Sequence, residues 1–170
     1  MKGPVGTGSA ILFADAAQAS CTTPRRARSG VALPGQSCDL CNSVGGDLLW
    51  GDDFCRIVLV DQRDYPGLCR VILGRHVAEM TDLAPAERTR LMNAVFATET
   101  ALRELLHPDK INLASLGNVA PHLHWHIVPR YRGDRHFPFA IWAEPARTDA
   151  PRREAPDRGA LVTALRRQLD

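Results

Sequence analysis

Three histidines alternate with apolar residues in the segment His122-Leu123-His124-Trp125-His126, and they are three of only six histidines in the chain. On a strand, alternate side chains point to opposite faces, so the three imidazoles would share one face and Leu123 and Trp125 the other. A neutral imidazole is nucleophilic near pH 7, and flanking imidazoles can reach different oxygens of a phosphate. The pattern therefore favours phosphate-transfer chemistry centred on His124.

Two other interpretations of this segment stay open. The histidines could be ordinary surface or core residues, although chance explains such an alternation poorly. They could also bind a metal, but strand residues two apart lie roughly 6.6 Å apart and those four apart about 13 Å, with side chains projecting in parallel. Three such imidazoles do not readily converge on one ion.

A second candidate group is the cysteine pair in the segment 38–41, Cys-Asp-Leu-Cys. This spacing is typical of metal ligands, yet a structural zinc site needs two further ligands. Free buried thiols and a redox pair are the alternatives. Cys55 and Cys69 fall on predicted strands, where they suit a core as small side chains.

Hydrophobic periodicity predicts the elements that position these residues. Strands are predicted over 48–50, 54–60 and 70–73, because apolar runs there are separated by turn-prone residues. Apolar residues at three- and four-residue spacing between Pro85 and His107 predict an amphipathic helix, with Pro85 in its first turn. The first half of the domain is therefore three sequential antiparallel strands and a long helix.

Two more strands are predicted after this helix, over Lys110–Leu116 and His122–Arg130, with Gly117-Asn118 in the connection. The order indicates an α+β domain, in which an antiparallel sheet of about five strands has one long helix between strands 3 and 4. A short C-terminal helix is predicted over Gly159–Leu169.

The chain divides into three regions by composition. Residues 1–36 mix Gly, Ala, Pro and Arg without sustained periodicity, so we expect a disordered extension. Residues 37–142 hold the predicted sheet and long helix. Residues 143–170 become rich in Pro, Arg, Asp and Glu, and we expect a linker before the short C-terminal helix.

Charge and cysteine usage restrict the partners. The chain has 170 residues and a formal net charge of only +2, too small for a field that holds nucleic acid or an anionic membrane. No run approaches the roughly 18 to 20 apolar residues that cross a bilayer. An odd number of cysteines, five, suits a reducing compartment. We expect a cytoplasmic protein with a small anionic ligand and with neither nucleic acid nor membrane as partner.

The segment 122–128 resembles the signature of the histidine-triad (HIT) family, in which three histidines alternate with apolar residues and two apolar residues follow. Over roughly residues 38–131 the chain is similar to bacterial HIT proteins described as diadenosine tetraphosphate hydrolase-like. The resemblance implies that His124 becomes nucleotidylated at the α-phosphate, while His122 and His126 orient it and hold phosphate oxygens. Water then releases the nucleoside monophosphate, with adenosine as the favoured base.

The resemblance also implies substrate contacts. Asp61 would contact the ribose hydroxyls, and Asn112 and Asn118 would line the phosphate side. Alternatively, Asp61 could simply start a turn. Asn112 could be a polar strand residue whose side chain is hydrogen-bonded by a neighbouring residue. Many relatives carry Gln and then Ser or Thr where this chain has Asn118-Val119, and a His where it has Leu68. Arg130 fits either a phosphate contact or a strand end in solvent.

Several bacterial HIT proteins look similar around the cysteine pair as well. The resemblance implies a structural zinc ion held by Cys38, Cys41, His76 and His122, with no organic cofactor, and a homodimer. Two rival functions remain open: a noncatalytic nucleotide-binding HIT module, and a zinc enzyme whose metal performs the hydrolysis.

Overall fold

A computed structural model describes residues 38–170, and the extension predicted over 1–36 lies outside the described residues. The elements in chain order are α1 (Asp39–Asn42), β1 (Asp47–Gly51), β2 (Cys55–Leu59), β3 (Cys69–Leu73), a 3-10 turn (Met80–Asp82), α2 (Pro85–Leu106), β4 (Lys110–Ala114), β5 (His124–Arg130) and α3 (Arg158–Leu169). The long helix lies between the third and fourth strands, as predicted.

The five strands form one sheet in the order β1-β2-β3-β5-β4. Every neighbouring pair is antiparallel. The last strand enters between β3 and β4, and it pairs with β3 so that His124 faces Ile72 and His126 faces Arg70. The predicted α+β class and the five-stranded antiparallel sheet are confirmed, and the strand order gives β5 a central place.

The two faces of the sheet have different surroundings. One face packs on α2 and α3 and forms the main core; among its buried residues are Cys55, Ile57, Cys69, Val71, Leu73, Leu123 and Ile127. The opposite face carries the side chains at 124, 126 and 70. Burial raises the pKa of both core cysteine thiols to about 12, so these thiols behave as small apolar groups.

The long helix α2 begins and ends at recognisable signals. Pro85 occupies its first turn, and the Glu87 carboxylate accepts a hydrogen bond from the Ala84 amide at 2.9 Å. His107 ends the helix in the left-handed conformation with φ 45°. The predicted helix over 85–107 is therefore confirmed, apart from the end residue that serves as its cap.

The C-terminal helix α3 docks on α2 and β1. Asp157 caps it by accepting a hydrogen bond from the Ala160 amide at 2.7 Å. Leu161, Ala164 and Leu165 are buried in the main core. The predicted short helix is confirmed. Among the helices within residues 38–170, none has both the length and the apolar character that crossing a bilayer requires.

The segment before β5 departs from the prediction, because the strand begins at His124 and not at His122. The His122 amide donates to the Ala120 carbonyl at 2.8 Å, which makes a tight turn beside Pro121. The Leu123 amide then donates to Val77 at 2.6 Å, in the connection after β3. Proline lacks an amide proton and therefore fits this turn better than it fits a strand. The strand consequently begins at His124, two residues after the predicted start at His122.

Candidate active site

His124 is held in one orientation by the backbone. Its Nδ1 lies 2.6 Å from the carbonyl oxygen of His122. A carbonyl oxygen only accepts, so Nδ1 carries the proton and Nε2 carries the lone pair. Only 7% of His124 is exposed. The arrangement presents a neutral ring nitrogen in a fixed orientation, with the lone pair that a nucleophile requires.

His126 faces Nε2 of His124 from the next position on the same strand face. Its Nε2 lies 3.1 Å from Nε2 of His124, and the two rings meet edge to face with centroids 4.9 Å apart. Because His124 offers a lone pair there, His126 donates. Nδ1 of His126 is buried without a hydrogen-bond partner among the described residues. With the proton on Nε2, this Nδ1 carries an unpaired lone pair.

Burial keeps both rings neutral. It lowers the pKa of His124, and the hydrogen bond to His122 offsets only part of this effect. Burial, then His124 and then Arg70 lower the pKa of His126 to about 4. Near pH 7 both imidazoles are therefore unprotonated at one nitrogen, which nucleophilic attack requires.

His122 does not share the face of the other two histidines, so the expected row of three imidazoles is not formed. Its fully buried ring lies 2.7 Å from the Leu73 carbonyl oxygen through Nε2, which donates. Its Nδ1 lies 3.4 Å from Sγ of both Cys38 and Cys41. His122 therefore contacts His124 through the His122 backbone carbonyl, while the His122 ring belongs to a second cluster.

This second cluster is formed by Cys38, Cys41, His76 and His122, whose ligand atoms all lie within 4.8 Å of one another. Sγ of Cys41 is 3.4 Å from Nδ1 of His76. Tetrahedral zinc, with bonds of about 2.3 Å to sulfur and about 2.0 Å to nitrogen, sets sulfur and nitrogen roughly 3.5 Å apart. The hydrogen bond to Leu73 places the proton of His122 on Nε2 and leaves Nδ1 for a metal. The predicted four ligands fit zinc.

The segment that carries the cysteines is anchored to the sheet independently of a metal. Leu40 is buried against Val58 and Ile72. Arg56 donates to the carbonyl oxygens of Leu40, Ser43 and Val44 at 2.5, 3.0 and 2.9 Å. Burial and the neighbouring Cys38 raise the pKa of the Cys41 thiol. A bound cation would reverse this effect by stabilising the thiolate.

The predicted substrate residues lie at separate places around the sheet. Asp61 is exposed beyond the end of β2, and Asn118 is exposed in the connection between β4 and β5. Asn112 lies on β4, and its Oδ1 accepts a hydrogen bond from Arg130 at 2.6 Å. Of the three, Asn112 alone has a side-chain partner among the described residues.

Arg130 is a buried structural residue. It forms a two-pronged ion pair with Asp134 at 2.7 and 3.0 Å, and it also donates to the Phe139 carbonyl at 2.9 Å. Only 1% of Arg130 is exposed. Burial alone would raise the pKa of Asp134, but hydrogen bonds from Arg130 and the Tyr131 amide lower it overall. Arg130 is therefore neither free to contact a phosphate nor exposed at a strand end, which were the two roles considered from the sequence.

Two residues at the site escaped sequence reasoning. Arg70 pairs with His126 across β3 and β5. Its only sequence signal is a lone charge in the otherwise apolar run 68–73. Trp142 meets His126 edge to face with ring centroids 5.3 Å apart. It had no signal, because composition placed it at the end of the domain.

The sequence is similar to those of two nucleotide-processing enzymes. It is 32% identical over 78 residues to an AP-4-A phosphorylase of Mycobacterium tuberculosis, covering 42% of this chain and 40% of that protein. It is 31% identical over 74 residues to a bis(5'-nucleosyl)-tetraphosphatase (asymmetrical) of Schizosaccharomyces pombe, covering 41% of each. The chain thus spans about 40% of the length of these curated relatives.

The fold is similar to those of solved histidine triad proteins. One from Bradyrhizobium japonicum has a TM-score of 0.57 at 28% identity, covering 73% of this chain and 92% of that chain. Another from Marinobacter aquaeolei has a TM-score of 0.59 at 23% identity, covering 79% and 95%. The family model of the HIT domain matches residues 45–133, just over half of the sequence. The chain therefore belongs to the HIT domain family.

Proposed function

We propose that this protein is a nucleotide hydrolase or transferase that acts at the α-phosphate of a nucleoside polyphosphate or phosphoramidate. The observation that carries the proposal is the hydrogen bond from Nδ1 of His124 to the His122 carbonyl, which leaves the lone pair on Nε2, the nitrogen that would attack phosphorus. The names of the phosphorylase and tetraphosphatase relatives support a dinucleoside polyphosphate as one substrate class.

The proposed reaction has two displacements at phosphorus. Nε2 of His124 attacks the α-phosphorus, and the bond to the leaving group breaks as a nucleotidyl-histidine forms. The neutral His126 keeps its Nε2 proton and donates that hydrogen bond to the departing group, which takes its proton from solvent. Water then attacks the same phosphorus and loses a proton to solvent, and cleavage of the phosphorus–nitrogen bond releases the nucleoside monophosphate. The His122 carbonyl stabilises the positive charge on His124 in the intermediate.

The remaining residues take supporting roles in the proposal. Asp61 would bind the ribose hydroxyls, and Asn112 and Asn118 would line the phosphate side. Zinc at the Cys38, Cys41, His76 and His122 cluster would be structural, because four protein ligands leave no open position for a water molecule. This donor set counts against the rival in which the metal performs hydrolysis.

We retain three broader proposals about the protein as a whole. The HIT domain would span residues 37–142, and the protein would work in the cytoplasm. It would form a homodimer, which the outer edge of β4 and the half-exposed Phe96 on α2 support as contact surfaces. Light scattering on the purified protein tests the dimer, and a monomeric mass would reject it.

The covalent step is tested by rapid-quench intact mass spectrometry without acid. Wild type and His124→Ala are quenched seconds after mixing with diadenosine tetraphosphate or adenosine phosphoramidate. We expect an adenylyl adduct on wild type and on His107→Asn, a control at the exposed C-cap of α2. His124→Ala should fold normally and form no adduct. Near-native turnover by His124→Ala would reject the mechanism.

A noncatalytic nucleotide-binding module is the second candidate. It is favoured by the connection between β4 and β5, where Asn118 is exposed and Val119 is 99% exposed. The family resemblance implies leaving-group contacts at this place, and here both side chains are exposed. Tight binding of AMP without turnover of any substrate tested would support the module over the enzyme.

A further inference from the structure

Arg70 lies on the same face of the sheet as the two facing histidines. It sits on β3 directly opposite His126 on β5, and the neighbouring pair in the register is Ile72 with His124. Side chains directly opposite on antiparallel strands project to the same face and lie close together. The guanidinium is therefore next to the proposed reaction centre.

Within residues 38–170, the guanidinium of Arg70 forms neither a hydrogen bond nor an ion pair, and its Nε is buried without a partner. Two other arginines on this face are satisfied by the protein: Arg56 by three backbone carbonyls, and Arg130 by Asp134, Asn112 and a backbone carbonyl. A buried donor of a charged group left unpaired is unfavourable. Of these three arginines, Arg70 is the one whose guanidinium is left available for an anionic ligand.

The electrostatics agree with this placement. Burial lowers the pKa of Arg70, but an arginine stays protonated near pH 7. Its positive charge also helps to lower the pKa of His124 and His126. A fixed positive charge beside neutral imidazoles repels metal cations and attracts an anion. The anion that the proposed reaction brings to this place is phosphate.

We propose that Arg70 binds the non-bridging oxygens of the substrate's α-phosphate and stabilises the charge that develops there during attack by His124. This proposal rests on the function proposed above. The planar guanidinium offers parallel N–H donors that match two phosphate oxygens. Arg70 is therefore a catalytic residue that contacts the phosphate directly, and the ligand class is a nucleoside bearing an anionic α-phosphate.

The first test separates phosphate recognition from nucleoside recognition, and it requires no turnover. Binding of AMP and of adenosine is measured by calorimetry on wild type, Arg70→Met and Arg103→Met. Arg103 is an exposed arginine on α2, so the control removes the same charge elsewhere. We expect Arg70→Met to weaken AMP binding roughly ten- to hundred-fold, the range for a charge-assisted hydrogen bond, while adenosine binding stays unchanged.

Equal losses for AMP and adenosine, or no loss for AMP, would overturn the proposal. If Arg70→Met does not fold, Arg70→Lys replaces it, since it keeps the charge but loses the paired donors. We expect this variant to weaken AMP binding several-fold and to leave adenosine binding unchanged; wild-type affinity for both would overturn the two-oxygen contact. Should wild type lack turnover altogether, the proposed function fails while the AMP and adenosine comparison still judges Arg70.

Discussion

The carbonyl oxygen of His122 accepts a hydrogen bond from Nδ1 of His124 at 2.6 Å, while the ring of His122 lies 3.4 Å from Sγ of Cys38. One residue thus belongs to the candidate metal cluster through its side chain and to the candidate nucleophile through its backbone. A change in the cluster can move the carbonyl that orients His124. The two sites are connected through a single residue.

The first prediction concerns bound zinc. Cys38→Ser should lower the zinc content measured by elemental analysis, because the cluster loses one of four ligands. It should also lower turnover, since the ring of His122 loses its neighbour and the carbonyl no longer fixes His124. Cys55→Ala is the control, because Cys55 is buried in the core away from the cluster and its loss should leave zinc bound. Undiminished zinc in Cys38→Ser would remove Cys38 from the site.

The second prediction concerns the buried ion pair between Arg130 and Asp134, in which both side chains are at least 95% buried. Asp134→Ala should reduce the free energy of unfolding by about 3–5 kcal/mol, because Arg130 is left buried and charged without its partner. The control is Asp64→Ala, whose partner Arg135 is 45% exposed, and about 0–1 kcal/mol is expected there. Urea denaturation gives both values, and similar small losses would contradict the structural role of Arg130.

The third prediction is a pH dependence of stability. His126 has a pKa of about 4 in the folded protein against 6.5 ordinarily, so between these values the unfolded chain binds more protons. Its contribution to stability is full above about pH 6.5 and is lost progressively as the pH falls towards 4, by roughly 1–3 kcal/mol. His126→Gln should flatten this part of the profile. Titration of His126 near 6.5, followed by NMR, would contradict the burial of its ring.

The fourth prediction uses the contact of Trp142 with His126, whose ring centroids are 5.3 Å apart. About half of Trp142 is exposed, so a nucleotide bound at His124 would change the surroundings of its indole. AMP should alter tryptophan emission in wild type and much less in Trp142→Phe. Trp50→Phe is the control, because its indole is held by Asp170 away from the histidines and the AMP response should persist. An unchanged response in Trp142→Phe would place the nucleotide elsewhere.

Local patterns predicted most of the fold, because periods of two and of three to four residues mark strands and helices directly. They failed at His122, where the alternation continues in sequence but a turn beside Pro121 ends the strand face. The position of Arg70 could not be predicted either. Arg70 lies opposite His126 because β5 enters the sheet between β3 and β4, and this pairing joins segments that are far apart in the sequence.

The candidate site divides in the same way. His124 and the four proposed zinc ligands could be named from motif and resemblance, and the structure brings the four ligands together. The partner of Asn112 could not be named, because Arg130 reaches it across the pairing of β4 and β5. Interactions within one segment can be predicted from the local sequence, whereas interactions between segments depend on how the strands pair in the sheet.

Because α3 docks on the core, the part of the chain that folds together is longer than the part that matches the family. The family match ends at residue 133, yet Leu161, Ala164 and Leu165 lie in the same core as α2. At the other end, Cys38 and Cys41 precede the match. A fragment excised at the family boundaries would carry the histidines but expose an apolar groove and lose half of the metal donors. A fragment meant to fold and to keep all four metal donors should therefore extend beyond both ends of the family match.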